Sequence, residues 1–201
     1  MLLLRRFMWI AVASGLLAQQ HPPQGRVQDL AAGKLLVARR NLPDPNFGET
    51  VILLTRYGKE GAMGLIVNLR SEVPLSRVFP EYGEAERRSD PIYLGGPVDR
   101  KAVFALLRSA AKPEEGLHVF GDLYMISTPS LLEDTMAAGP GSSKFRVYLG
   151  YSGWASQQLE REVEMGTWHI FKAEAGLVFD PDPDTVWSRL IDRTGLRIAR
   201  R

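Results

Sequence analysis

The chain has no cysteine in 201 residues. Disulfides, thiolate metal sites and thiol nucleophiles are therefore excluded. Histidine is almost as scarce. His21, His118 and His169 never fall at i, i+4 or H-x-H spacing, the pattern that a zinc site needs, so no metal is expected. Charge is nearly balanced as well. Arg5 and Arg6 supply the whole formal surplus of +2, and the chain after Ala18 is neutral. A neutral chain without a recognition-helix signature disfavours direct DNA binding. No G-K-[ST] follows a glycine pair, which removes a Walker loop. No apolar run reaches the roughly 20 residues of a membrane-spanning helix.

The N-terminus does carry a short apolar run. In "MLLLRRFMWIAVASGLLAQQHPPQ" two arginines precede Phe7 to Leu17, and small and polar residues follow. That is the layout of a signal peptide. "HPPQG" reads as a linker, so residues 1–25 are expected to be leader and linker and 26–201 the folded domain. A true signal would mean export or membrane tethering.

Beyond the linker, apolar and β-branched runs alternate with Gly, Pro, Asn and Asp. "KLLVA", "TVILLTRY", "AMGLIVN", "PIYL", "AVFALL", "GLHVF", "LYMIS", "KFRVYLG", "TWHIFKA" and "GLVF" all read as strands. Helices are fewer. One should start at Thr128-Pro129 and stop at Gly139-Pro140; one follows Trp154; one has Asp182 as cap, Pro183 at its first position and a stripe of Val186, Trp187, Leu190 and Ile191. A short helix is expected around "PLSRVF". Many strands with few, unevenly spaced helices indicate an α+β domain.

"GYSGWASQQLE", from Gly150 to Glu160, reads as strand, glycine turn and helix with a serine in the turn. A nucleophile elbow needs G-x-S-x-G, and Trp154 stands where the second glycine belongs. A triad also needs a histidine base, and His118 and His169 lie in strand-like runs. Ser152 is accordingly read as structural, with no catalytic residue assigned. On the helix beyond, Leu159 and Val163 face inward, Gln158 and Glu162 flank them on one side and Glu160 on the other, and Gln157, Arg161 and Glu164 face solvent. "YLGGPV" places Gly95-Gly96 at a strand end, either as a plain turn or as exposed backbone N–H groups for an anion. Asn68 closes another strand as a turn cap or a polar contact. Trp154, Trp168 and Trp187 read as core. "DPDPD" at Asp180 to Asp184 reads as a helix cap and turn.

Four stretches in this order, "GKLLVARRNLPDPNFGETVILL", "GAMGLIVN", "YLGGPV" and "GYSGWASQQLEREVEMGTW", resemble the AlgH/YqgE family of bacterial proteins from about Gly33 to Gly195. The resemblance implies a single α+β domain with a mixed, barrel-like sheet and a few helices. It implies a transcriptional regulator in the cytoplasm, with no enzymatic activity or cofactor established. The family's recurring positions fall on Asp44, Phe47, Gly61, Ala62, Gly64, Asn68, Gly95 to Val98, Gly150, Tyr151, Gly153, Trp154, Gln158, Leu159, Glu160 and Trp168. The chain departs from the pattern at Arg40, usually proline, at Ser152, usually alanine, at Gln157, usually glycine, and in its leader.

The expected function is a non-enzymatic regulatory or binding module that acts through a protein partner or small ligand. The alternative is a hydrolase or nucleotide-binding enzyme that uses Gly95-Gly96 as an anion cradle and Glu160 as acid or base. The candidate ligand or partner surface is Asn68, Gly95, Gly96, Tyr151, Trp154, Gln158 and Glu160. Gly95-Gly96 and the Gly150 to Glu160 stretch are expected to meet and, with Asn68, to form one concavity.

Overall fold

Successive side chains of a strand point to opposite faces, so an unbroken apolar run is stable only where both faces are covered. That is the arrangement in the computed structural model, which describes residues 25–80, 85 and 88–196. The ten strands are β1 (Lys34–Ala38), β2 (Val51–Gly58), β3 (Gly61–Ile66), β4 (Arg70–Pro74), β5 (Pro91–Leu94), β6 (Val98–Arg108), β7 (Leu117–Phe120), β8 (Leu123–Ile126), β9 (Phe145–Ala155) and β10 (Trp168–Lys172). The helices are α1 (Leu75–Val78), α2 (Pro129–Ala137), α3 (Gln158–Glu164), α4 (Ala175–Val178) and α5 (Val186–Leu196).

Among the described residues all ten strands form one sheet. Its main order is β10-β1-β2-β3-β9-β6-β8-β7, with β5 also on β9 and β4 on β5. The sheet is mixed: β5 runs parallel to β9, and the other pairs are antiparallel. It curls without closing. The Gly33 turn lies against Val119 and Phe120 of β7, but the ladder ends at β7 and β10.

Inside the curl, Leu35, Leu53, Leu65, Leu106, Met125 and Tyr148 meet Val178 and Phe179 at the end of α4 and Val186, Leu190 and Ile191 of α5. The alternate residues of β1 to β3, namely Leu36, Ala38, Ile52, Leu54 and Ile66, pack outward against Trp154, Trp168 and Leu159 and Val163 of α3. At the other end of the sheet, Ile92, Ala105, Ile126, Phe145 and Val147 pack on Leu75 of α1 and Leu132 and Met136 of α2. Each buried Leu, Ile or Val contributes about 1.5–3 kcal/mol relative to exposure. The fold is thus a single α+β domain with helices on both faces of one large sheet.

Four expectations need correction. "GLVF" is α4, not a strand, because it turns to deliver Val178 and Phe179 into the curl. β9 does not turn at Gly150 but continues to Ala155. Neither Thr128 nor Asp182 caps its helix with its side chain. Instead Asp180 accepts the Asp182 N–H at 2.9 Å and pairs with Arg189. Trp187 is only half buried, at the rim between the inner and outer cores, where its Nε1–H donates to the Ala38 carbonyl at 2.8 Å. The leader lies outside the described residues.

Candidate functional site

β9 changes neighbours along one edge. Tyr148 and Leu149 pair with β5, whereas Ser152 to Ala155 pair with β3. Where β5 and β3 part, the Gly95-Gly96 turn crosses the β9 backbone. The Gly95 N–H donates to the Leu149 carbonyl at 2.8 Å, and the Gly95 carbonyl accepts the Ile66 N–H at 2.9 Å. The crossing leaves no room for side chains. Gly150 has φ +70°, and a Cβ there would stand 2.6 Å from the Gly96 carbonyl oxygen; Gly96 has φ +154° and sits directly on the Tyr151 backbone. Only glycine meets both demands. The two glycine segments do meet, as the sequence led one to expect.

On the other edge, β6 bulges away from β9. Val98 pairs with Tyr151 and Val103 with Leu149, so five steps along β6 match two along β9, and Asp99 takes φ +39°. A bulge of this kind re-aims side chains. It brings Arg100 to the glycine crossing.

The result is an open cavity of about 410 Å³. Pro45 and Asn46 form one wall, Ile66 and Leu69 another, and Leu94, Gly96, Pro97, Leu149 and Arg100 complete it. Leu69 and Leu94 are 41% and 42% exposed, which is high for leucine. Arg100 is the one charged group in the described lining, and its side chain has no ion-pair partner among the described residues. The site is therefore an apolar groove with one free cation.

The candidate residues divide around this groove. Gly96 lines it, and Gly95 beside it is buried. Asn68 holds its wall in place from behind: its Oδ1 accepts the Val51 N–H at 2.7 Å, and its Nδ2 donates to the Glu49 carbonyl at 3.0 Å. These bonds pin the 44–50 loop that carries Pro45 and Asn46. Phe47 pins it again by stacking on Trp154, with ring centroids 6.4 Å apart. Tyr151 is half buried and packs edge-on against Phe104, 5.8 Å away.

Trp154, Gln158 and Glu160 form a separate cluster on the outer face. The Gln158 Oε1 accepts the Ala155 N–H, and the Glu160 carboxylate accepts the Tyr57 hydroxyl at 2.8 Å. Burial, reinforced by that acceptor, pushes the Tyr57 phenol up to about 12. The cluster's centre is Glu162, which the sequence reading placed only on the flank. Its Oε2 accepts both indole N–H groups, from Trp154 at 2.9 Å and Trp168 at 2.8 Å, and its Oε1 accepts the Gln158 amide at 3.0 Å. A flanking carboxylate on a helix between two tryptophans was the signal in the sequence.

Ser152 is fully buried in β9, and its hydroxyl donates to the Gly95 carbonyl at 3.3 Å. His118 and His169 stand on β7 and β10. Among the described residues no group of acids and histidines could hold a metal ion, and no helix is long and apolar enough to cross a membrane.

Fold and site together define a class: a one-domain α+β protein whose curled, open sheet exposes an apolar groove at a glycine crossing. The AlgH-like family model matches residues 35–199, and the chain belongs to that family. Similar proteins include a UPF0301 protein of Mycobacterium tuberculosis, 34% identical with 86% of each chain covered. Another, from Chlorobaculum tepidum, is 32% identical over 83% of this chain and 88% of its own. The solution structure of the AlgH protein from Pseudomonas aeruginosa aligns with a TM-score of 0.68 at 32% identity, covering 82% of this chain and 88% of that one. A crystal structure from Corynebacterium diphtheriae aligns at 0.69 with 25% identity, covering 82% and 87%. The molecular function of this family is uncharacterised.

Proposed function

We propose that the protein is a non-enzymatic binding module, and that the groove at the glycine crossing holds its partner: a protein segment or small ligand with an apolar body and an anionic group. The observation that carries this reading is the 410 Å³ cavity with exposed Leu69 and Leu94 at its rim and an unpaired Arg100 beside them. Leucines left in water at a concave site favour a partner that covers them. A regulatory role would run through that partner rather than through DNA.

The enzymatic alternative has less to draw on. The Gly95 N–H and carbonyl are both engaged within the fold, and so are Ser152 and Glu160. The test is crosslinked capture from the native cell with wild type, Leu94→Asp and Arg100→Gln. Both variants should lose the captured partner and melt as wild type does. Equal capture by all three would overturn the assignment of the groove. Turnover in a nucleotide and ester panel that Glu160→Gln abolishes would favour the enzyme.

A further inference from the structure

A second cavity, of about 160 Å³, opens beside the ends of β4 and β5 and is lined by Arg70, Asp90, Tyr93, Ser142 and Arg146 among others. Arg146 is unusual. It is only 5% exposed, yet the Asp180 carboxylate that it feels is paired to Arg189. Its guanidinium donates to the Val178 and Asp180 carbonyls just past α4 and lies 4.7 Å from the centre of the Tyr93 ring and 5.6 Å from that of Phe179. Among the described residues its Nε has no hydrogen-bond partner, and the buried Tyr148 hydroxyl, two residues along the same face of β9, lies beside the same guanidinium. Its hydrogen bonds go to neutral carbonyls, and the Asp180 carboxylate is shared with Arg189, so a further anion would offset part of the desolvation cost of this buried cation.

The other charges around the cavity leave room for that anion. Asp90 is engaged by Arg88 at 2.9 Å. Arg70 makes only a long contact of 3.4 Å to the exposed Asp184, a pair of little worth in water. Arg70 at the rim therefore offers a guanidinium fork that suits a tetrahedral oxyanion, and Arg146 within adds its charge and the N–H groups that its two carbonyl bonds leave over.

We propose that this cavity is an oxyanion site that takes a phosphate group, free or esterified, between Arg70 and Arg146. It is separate from the groove and does not depend on the function assigned there. The test is calorimetric and thermal titration of the full chain with inorganic phosphate at constant ionic strength, with acetate as the comparison anion. Phosphate should bind saturably and raise the melting temperature; acetate should not. Arg70→Met should weaken phosphate binding about tenfold or more, as expected for loss of a charge-assisted pair, and leave the phosphate-free melt unchanged. Lys112→Gln, which removes an exposed loop charge, should leave affinity unchanged. Arg146→Lys should also weaken binding; if that variant does not fold, Arg70→Met decides alone. Glycerol phosphate binding more tightly than phosphate identifies an ester as the source, and the reverse order identifies the free ion; either order supports the site. Absence of saturable binding, equal stabilisation by acetate, or an affinity indifferent to Arg70→Met would overturn it.

Discussion

Glu162→Ala is the sharpest single test of how the outer face of the sheet is held. The wild-type carboxylate accepts three hydrogen bonds, from the Trp154 and Trp168 indoles and the Gln158 amide. Both tryptophans are buried, at 6% and 1% exposure, so water cannot readily replace the lost acceptor. Each orphaned buried donor costs about 1–3 kcal/mol. The Gln158 amide is only half buried and can rehydrate, so it adds little. The expected loss is about 3–5 kcal/mol, or roughly 10 °C in Tm for a domain of this size. Glu162→Gln keeps an oxygen for the indoles but sets its own NH₂ against that of Gln158, so about 1–2 kcal/mol should be lost. Urea unfolding followed by far-UV circular dichroism measures both without relying on tryptophan emission, which the substitutions themselves perturb. A loss below about 1 kcal/mol for Glu162→Ala, or equal losses for the two variants, would refute the argument that one acceptor holds both indoles.

Four further outcomes are expected. Ser152→Ala should stay within about 1 kcal/mol of wild type in chemical unfolding and react identically with a fluorophosphonate probe, because the hydroxyl is buried and makes one long bond; labelling that depends on the serine would contradict this. Gln157 sits at φ +61°, where a side chain strains the backbone, so Gln157→Gly should be neutral or up to about 1 kcal/mol more stable, and a clear loss of Tm would count against it. His169 is buried, its Nδ1 has no partner among the described residues, and burial holds its pKa below the usual value. The folded state therefore binds fewer protons than the unfolded chain, and stability should fall as pH drops below about 6.5, by no more than about 1.4 kcal/mol per pH unit; a profile between pH 7.5 and 5 that His169→Gln leaves unchanged would exclude this cause. Trp187→Ala should cost about 2–3 kcal/mol, less than the 3–5 typical of a fully buried tryptophan, because its ring is half exposed; a loss under about 1 kcal/mol in urea would show that it does not anchor α5.

Local order and local chemistry were legible in the sequence. Nine of the expected apolar runs are strands, because a β-branched run between turn residues has few other stable outcomes. The inward stripe of Leu159 and Val163 follows from helical periodicity alone. The chain also specified its glycines: Gly95, Gly96 and Gly150 stand where two backbones touch, and their identity records that contact without naming the partner. Tertiary structure decided the rest. Whether "GLVF" became strand or helix depended on what the sheet's interior needed filled. The continuation of β9 past Gly150 depended on β3 being there to pair with Ser152 to Ala155. The sequence placed Gln158, Glu160 and Gly95-Gly96 in one concavity, whereas the groove is built from Gly96 with Leu69, Leu94 and Arg100, and Gln158 and Glu160 serve the tryptophan cluster. Periodicity tells which way a side chain points from its own element. Which distant element stands opposite is fixed only when strand register and sheet curvature are set, and those are properties of the whole chain.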